Sequence, residues 1–138
     1  MERYIIFIPA DGPCRLVPCD NGDICKLSTL QQLVGGFIEV TESSLDPTWA
    51  REPVECIHLI VNEEGLLRGL PLNLFGCILY DTVRHGNPIV GDIVILKEGF
   101  TTPGERDFIG LDEDDIKFLG AMAVSLSGGG IKWESEAR

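Results

Sequence analysis

The sequence predicts an α+β fold, namely a single domain with a mostly antiparallel sheet and two or three short helices. Its 138 residues, of which 44% are hydrophobic, are enough for one globular core. Several short runs are apolar or alternate with a period of two, and only a few stretches have helical spacing. The strands and helices follow no repeating β-α-β order, which favours the α+β class. We expect the domain to span residues 1–127 and residues 128–138 to form a flexible tail.

The first predicted strand is Tyr4–Ile8, which is apolar at both alternating sets of positions. Such a run is typical of a strand that is buried on both faces of a sheet. Asp11, Gly12 and Pro13 interrupt it, and Arg15–Val17 is then expected to pair back as a short second strand.

A short helix is predicted next, because Leu30, Leu33 and Val34 have the i, i+3, i+4 spacing of one helix face. Ser28 and Gln31 have the spacing of a capping box at its start. The chain around this helix and its end is the best-defined part of the sequence.

Gly35 and Gly36 are expected to end that helix through a left-handed backbone conformation, and Phe37–Thr41 then alternates as a strand. The segment from Glu42 to Pro53 is interpreted as a surface loop. Its Trp49 is expected to pack back on the core, with an exposed anchor for a partner as the alternative.

A second well-defined strand is predicted at Glu55–Val61. We expect 62–65 to form a hairpin tip in which Gly65 has a positive φ, and 66–68 to return antiparallel. Asn73 then lies near the start of 74–80, which is either a short helix or an irregular apolar segment.

The last part of the chain is predicted to contain one more strand and one more helix. The strand is Ile89–Leu96, which is apolar at nearly every position and is expected to neighbour the first strand. A loop over 98–110 follows. The carboxylates of 112–115 suit the first turn of a helix, which Gly128–Gly130 would end.

Charge limits the classes of partner. With 22 acidic and 11 basic residues the formal net charge is −11, which repels phosphate backbones and anionic membranes. We therefore expect no direct nucleic-acid or membrane binding. Mimicry of DNA is the alternative, but the charges are spread along the chain. No signal sequence and no apolar run of about 20 residues is visible, so a cytoplasmic location is expected.

Cysteine spacing predicts neither a disulfide nor a metal site. The five cysteines are odd in number and contain no CxxC pair. Cys14, Cys19 and Cys25 could share a metal only if His58 or His85 came near. We therefore expect free thiols, no structural metal and no cofactor.

Candidate binding residues come from the strands at 37–41 and 55–62. One alternating set is wholly apolar and is expected to face the helices: Ile38, Val40, Ile57, Leu59 and Val61. The other set is mixed and would form a binding face: Phe37, Glu39, Cys56, His58, Ile60 and Asn62. Because this face needs cover, a homodimer is also expected.

Four segments, taken in order and spacing, resemble a family of small domains of unknown function from Clostridia-type bacteria, their phages and mobile elements. These segments are Leu30–Glu39 with its Val-Gly-Gly, Asn62-Glu-Glu-Gly65, Leu70-Pro-Leu-Asn73 and Ile89-Val-Gly-Asp92. The resemblance implies a context of mobile DNA in a bacterial cytoplasm, but no reaction and no catalytic residues.

The hypothesis from the sequence is a non-enzymatic binding protein, an accessory factor of a phage or mobile element that binds a host protein or a small metabolite. The alternative is a small hydrolase or transferase in which Glu39 and His58 form the acid/base pair. The sequence shows no nucleophile in a recognisable setting beside that pair.

Overall fold

The apolar run at the start of the chain forms the strand β1 (Tyr4–Ile8), which lies inside the sheet. It pairs antiparallel with β2 (Cys14–Pro18) on one side and with β5 (Ile93–Thr102) on the other. Ile5, Ile6 and Ile8 are fully buried. The prediction of a strand covered on both faces, next to the later apolar strand, is therefore confirmed.

The computed structural model describes residues 3–20, 24–44, 55–127 and 133–134. Residues 45–53 of the predicted surface loop, which include Trp49, lie outside the described residues. The described part holds four helices, α1 (Leu27–Val34), α2 (Leu74–Tyr80), α3 (Thr82–His85) and α4 (Glu113–Ser127). Its other strands are β3 (Ile38–Ser44), β4 (Glu55–Asn62), β6 (Glu105–Ile109) and β7 (Trp133–Glu134).

These strands form one sheet in the order β3-β4-β5-β1-β2-β7, and β6 pairs with β5. The described pairings are antiparallel except the short parallel pairing of β7 with β2. The predicted α+β class with a mostly antiparallel sheet is confirmed. Trp133 and Glu134 belong to the segment predicted as a flexible tail, and they form a strand instead.

Helices cover both faces of the sheet. On one face, Leu30 and Val34 of α1 pack in a cluster with Ile5, Ile60, Val94 and Leu96. On the opposite face, α2 and α4 contribute side chains to the larger cluster, which contains Phe75, Leu79, Tyr80 and Leu119 with Ile57, Leu59 and Ile95. Burial of this apolar surface from water is the main force that holds the layers together.

The helix α1 ends as predicted but begins differently. Gly35 has φ 81°, and its amide donates to the carbonyl oxygen of Gln31, so the predicted left-handed end is confirmed. The N-cap is Lys26, and no side chain caps the helix. The predicted capping box of Ser28 and Gln31 is therefore wrong, because Ser28 already lies inside the first turn.

The predicted hairpin tip at 62–65 is also wrong. The neighbours of β4 in the sheet are β3 and β5, and 63–69 form successive turns rather than a returning strand. Gly65 does not have a positive φ. A Cβ atom there would lie 2.8 Å from Cγ2 of Val90, so this glycine serves close packing and not a special backbone angle.

The predicted loop over 98–110 is a hairpin. β5 continues to Thr102, and β6 returns antiparallel from Glu105 after a turn in which Gly104 has φ 84°. The strand β5 also begins later than predicted, at Ile93. None of the described helices is long and apolar enough to cross a membrane.

The helix α4 begins with carboxylates, as predicted. The amide of Asp115 donates to Oδ1 of Asp112 over 2.9 Å, and the amide of Asp112 donates to Oδ2 of Asp115 over 3.0 Å. The buried ammonium of Lys97 on β5 lies 2.7 Å from Asp115 and 3.7 Å from Asp112. Although burial raises the pKa of Asp112, hydrogen bonds with Asp115 and the charge of Lys97 outweigh it and lower that pKa.

Candidate functional site

Two buried asparagines hold together one end of the sheet. Nδ2 of Asn62 donates to the carbonyl oxygen of Val34 over 3.0 Å, and its Oδ1 accepts from the amide of Glu64 over 2.8 Å. The next amide, that of Glu63, donates to the carbonyl oxygen of Phe37 over 2.8 Å. Asn62 therefore connects the end of α1 and the turn after β4, and the Glu63 amide adds the start of β3.

Asn73 connects three further segments. Its Nδ2 donates to the carbonyl oxygens of Ile8, over 3.0 Å, and Gly91, over 2.8 Å. Its Oδ1 accepts from the amide of Gly76 over 2.8 Å, which caps α2. The expectation that Asn73 lies near the start of a short helix is confirmed.

The loop before β5 is fixed against the segment that contains Leu70 and Pro71. The amide of Gly91 donates to the carbonyl oxygen of Pro71 over 2.7 Å, and Gly91 has φ 77°. A Cβ atom on Gly91 would lie 2.8 Å from Cδ1 of Leu70. Asp92 accepts from the amide of Ala10 over 2.9 Å. The four segments that carry the family resemblance thus meet at one end of the sheet.

A cleft of about 510 Å³ opens at this end, within the range of roughly 300–1,000 Å³ typical of ligand sites. Val61, Tyr80 and Ile89 supply apolar surface, and Glu39 and Glu63 supply carboxylates. No described residue that lines the cleft is basic. The other lining residues are Thr41, Asn62, Leu66, Leu67, Asn87, Pro88 and Val90.

A smaller cavity of about 270 Å³ shares Asn62 with the cleft. It lies at the end of α1, where Nη1 of Arg68 donates to the carbonyl oxygen of Gly35 over 2.8 Å. Asp92 also lines it. Arg68 and Asn62 are both engaged in hydrogen bonds to the end of α1. We therefore interpret this cavity as a space between packed segments and not as the main site.

The structure does not bring the predicted binding residues onto one face. In the β3–β4 register Glu39 is opposite Val61 and Val40 is opposite Ile60, so Glu39 shares a face with Val61 and not with His58. Glu39 and Asn62 line the cleft. Ile60 is fully buried under α1, whereas Phe37 is 65% exposed at the start of β3.

The same register places Ile38 and Val40 on the face of Ile60, so the predicted common apolar face with Ile57, Leu59 and Val61 is wrong as well.

His58 has a different carboxylate neighbour from the predicted one. Its Nε2 lies 3.5 Å from Oε1 of Glu98, and Oε2 of Glu98 lies 3.6 Å from Nε of Arg106. The Nδ1 atom of His58 is buried, and no described residue bonds to it. Glu39 and His58 project from opposite faces of the sheet, so they do not form the predicted neighbouring pair.

Two of the five cysteines are in contact. Sγ of Cys19 lies 3.3 Å from Sγ of Cys25, and the two cysteines are thiols rather than a disulfide. Cys14 is buried in the cluster on the opposite face. Within the described ranges no group of three or more His, Cys, Asp or Glu side chains could hold a metal ion.

Of the residues that line the cleft, the sequence predicts only Glu39 and Asn62 as binding residues, and Glu63, Leu66, Leu67 and Tyr80 are among those it misses. The sequence predicts a hairpin tip that includes Glu63 and a returning strand that includes Leu66 and Leu67. The pair of adjacent leucines was a signal against a returning strand. Successive side chains of a strand point to opposite faces, so one of the two leucines would have faced water.

The fold and the cleft together define a small α+β domain with an acidic, partly apolar site at one end of its sheet. Residues 1–123 match a family described as a domain of unknown function (DUF3846), and the chain belongs to that family. Searches of curated proteins and of solved structures found no match.

Proposed function

We propose that this domain is a non-enzymatic binding protein, an accessory factor of a phage or mobile element that binds a host protein or a small metabolite in the cytoplasm. The observation that carries the proposal is the cleft of about 510 Å³ at the end of the sheet. Its walls come from the segments that the two buried asparagines fix in place. A preformed cleft of this kind binds with little loss of conformational entropy.

The geometry gives no support to the enzymatic alternative. The proposed acid/base pair of Glu39 and His58 is divided between the two faces of the sheet. The described lining of the cleft has carboxylates, amides, a threonine and a tyrosine, but no histidine, cysteine, serine or lysine. Because no histidine or nucleophile stands beside them in the described lining, we assign the two exposed carboxylates to recognition of a ligand.

Two further parts of the proposal rest on sequence. The net charge of −11 supports a protein or small-molecule ligand rather than nucleic acid. A homodimer remains a prediction. It was expected because the face that carries Ile60 needs cover, but α1 already covers Ile60. Sedimentation at micromolar concentration tests it, and a monomer would contradict it.

A thermal-shift screen against common metabolites, paired with affinity capture from host lysate, tests the proposal. Asn87→Trp would fill the cleft from an exposed position, and Val83→Trp on α3 is the matched control because Val83 is 97% exposed and does not line it. A ligand should raise the melting temperature of the wild type and of Val83→Trp, but not of Asn87→Trp.

Two results would overturn the proposal. One is the recovery of chemically altered ligand with turnover that His58→Ala abolishes, which would favour the enzyme. The other is binding that Asn87→Trp leaves unchanged, which would place the ligand outside the cleft.

A further inference from the structure

The charge of the cleft is one-sided. Glu39 projects from β3 and Glu63 from the turn after β4, and both side chains are exposed. Among the described lining residues no lysine, arginine or histidine balances these two carboxylates. Two like charges at one opening raise the local potential for a cation, and they repel an anion such as a phosphate.

The rim of the cleft is apolar. Leu66 is 61% exposed and Leu67 is 89% exposed, although both line the opening. The backbone of Phe37 adjoins the turn after β4, because its carbonyl oxygen accepts from the amide of Glu63, and its side chain is 65% exposed. Adjacent exposed leucines at the mouth of a site are typical of protein contacts. A small amine held inside the cleft would leave them in water.

From these two observations we infer that the occupant of the cleft is a basic segment of a partner protein, with a lysine or arginine side chain placed between Glu39 and Glu63. This inference rests on the proposed binding function and names its ligand. The methylene stem of the basic side chain packs on Val61 and Ile89, and its charged end meets the carboxylates. Apolar residues of the same segment cover Leu66 and Leu67.

The two parts of the surface have different roles. An exposed ion pair is screened by water and contributes little affinity, so the carboxylates supply selectivity for positive charge rather than most of the affinity. Burial of the leucines supplies the larger share, because it removes apolar surface from water. A segment that is basic but lacks apolar residues should therefore bind weakly.

An array of short random peptides, probed with the labelled protein, tests the inference without a known partner sequence. Bound peptides should be enriched in lysine or arginine next to apolar residues. The double variant Glu39→Gln/Glu63→Gln should lose this enrichment, and anisotropy with a selected peptide should show affinity weakened by about tenfold. The control Glu64→Gln/Glu105→Gln removes the same charge from positions that do not line the cleft.

Equal losses in the two double variants would overturn the inference, because the attraction would then come from the net charge of −11. It also fails if peptides with glutamine in place of each basic residue bind equally well. Cadaverine distinguishes the source of the cation. The inference is overturned in favour of a small amine if cadaverine competes as strongly as the peptide and if Leu66→Ser/Leu67→Ser does not change the binding of cadaverine.

The inference and the proposed function can fail separately. A neutral or anionic ligand from the thermal-shift screen whose binding Asn87→Trp abolishes would overturn the basic segment and leave the binding function standing. If neither peptides nor metabolites nor captured proteins bind in a way that Asn87→Trp abolishes, both fail. Melting curves of each variant establish that it is folded before its binding is measured.

Discussion

Asn62 and Asn73 show how buried amide side chains can organise the framework of a cleft. Each side chain uses both its carbonyl oxygen and its NH₂ group on backbone partners from different segments. Burial of a polar group is unfavourable unless it is hydrogen-bonded, so these contacts fix the positions of the segments strongly. Asn62, which the sequence predicts as a binding residue, lines the cleft, and its side chain also anchors the cleft wall.

Replacing Asn73 with alanine should therefore lower the stability of the whole domain. Asn73 is 1% exposed, and its loss leaves the amide of Gly76 and the carbonyl oxygens of Ile8 and Gly91 without their partner. We expect the free energy of unfolding to fall by about 2–4 kcal/mol, measured by urea denaturation. Asn87→Ala, at an exposed position, is the control and should change it by less than about 0.5 kcal/mol. Equal effects would contradict the role of Asn73.

At the level of elements, the sequence predicted alternation within strands but not the pairing between them. The sequence predicted both β3 and β4 as strands. Which residues of β3 share a face with which residues of β4 depends on the register of their pairing. The pairing of Ile38 with Asn62 reverses the expected choice. A shift of one residue moves every side chain of a strand to the other face, and both faces of this sheet are apolar, so hydrophobicity did not distinguish them.

The turns were misread for a related reason. Pro103 and Gly104 connect β5 to β6, but the polar residues of β6 hid its strand character. At Gly65 the reverse happened, because a glycine required by packing against Val90 was interpreted as a hairpin residue. Local sequence shows that a glycine is needed but does not show whether dihedral angle or space requires it.

The attachment of α4 to the sheet depends on Lys97. Its buried ammonium faces Asp115 and Asp112 at the start of that helix. Lys97→Met would leave these carboxylates without the cation, and we expect the free energy of unfolding to fall by about 3 kcal/mol. Lys97→Met combined with Asp115→Asn should lose less, because one of the unpaired charges is removed too. A double-mutant cycle in urea measures the coupling.

If the losses in unfolding free energy of Lys97→Met and Asp115→Asn simply add in the double variant, the two residues are not coupled. In that case the helix is held by its apolar contacts, such as those of Leu119 with the cluster beneath it.

At the scale of the whole molecule, both faces of the sheet are apolar and both are covered from within the chain. The sequence predicted the fold class correctly, because strands and helices can be recognised from the spacing of apolar residues within short stretches of the chain. It could not predict that, in the described part of the chain, α1 packs on one face while α2 and α4 pack on the other, because that arrangement depends on contacts distant in sequence. The cleft was not predicted for the same reason, since its walls come from β3, β4, the end of α2 and two loops.

The net charge of −11 acts on the whole domain as well as on its partners. Excess negative charge at this density disfavours the compact state through self-repulsion, and added salt screens that repulsion over a Debye length of about 8 Å at physiological ionic strength. Raising sodium chloride from low to moderately high concentration at constant pH should therefore increase the melting temperature by several degrees. For a domain of this size, a gain of about 1 kcal/mol in the free energy of unfolding corresponds to roughly 3–5 °C. Chloride is the right salt, because sulfate also stabilises proteins by exclusion from their surface. The buried contact of Lys97 with Asp115 is shielded from solvent and should respond little. A melting temperature that falls as sodium chloride rises would mean that local ion pairs outweigh the overall repulsion.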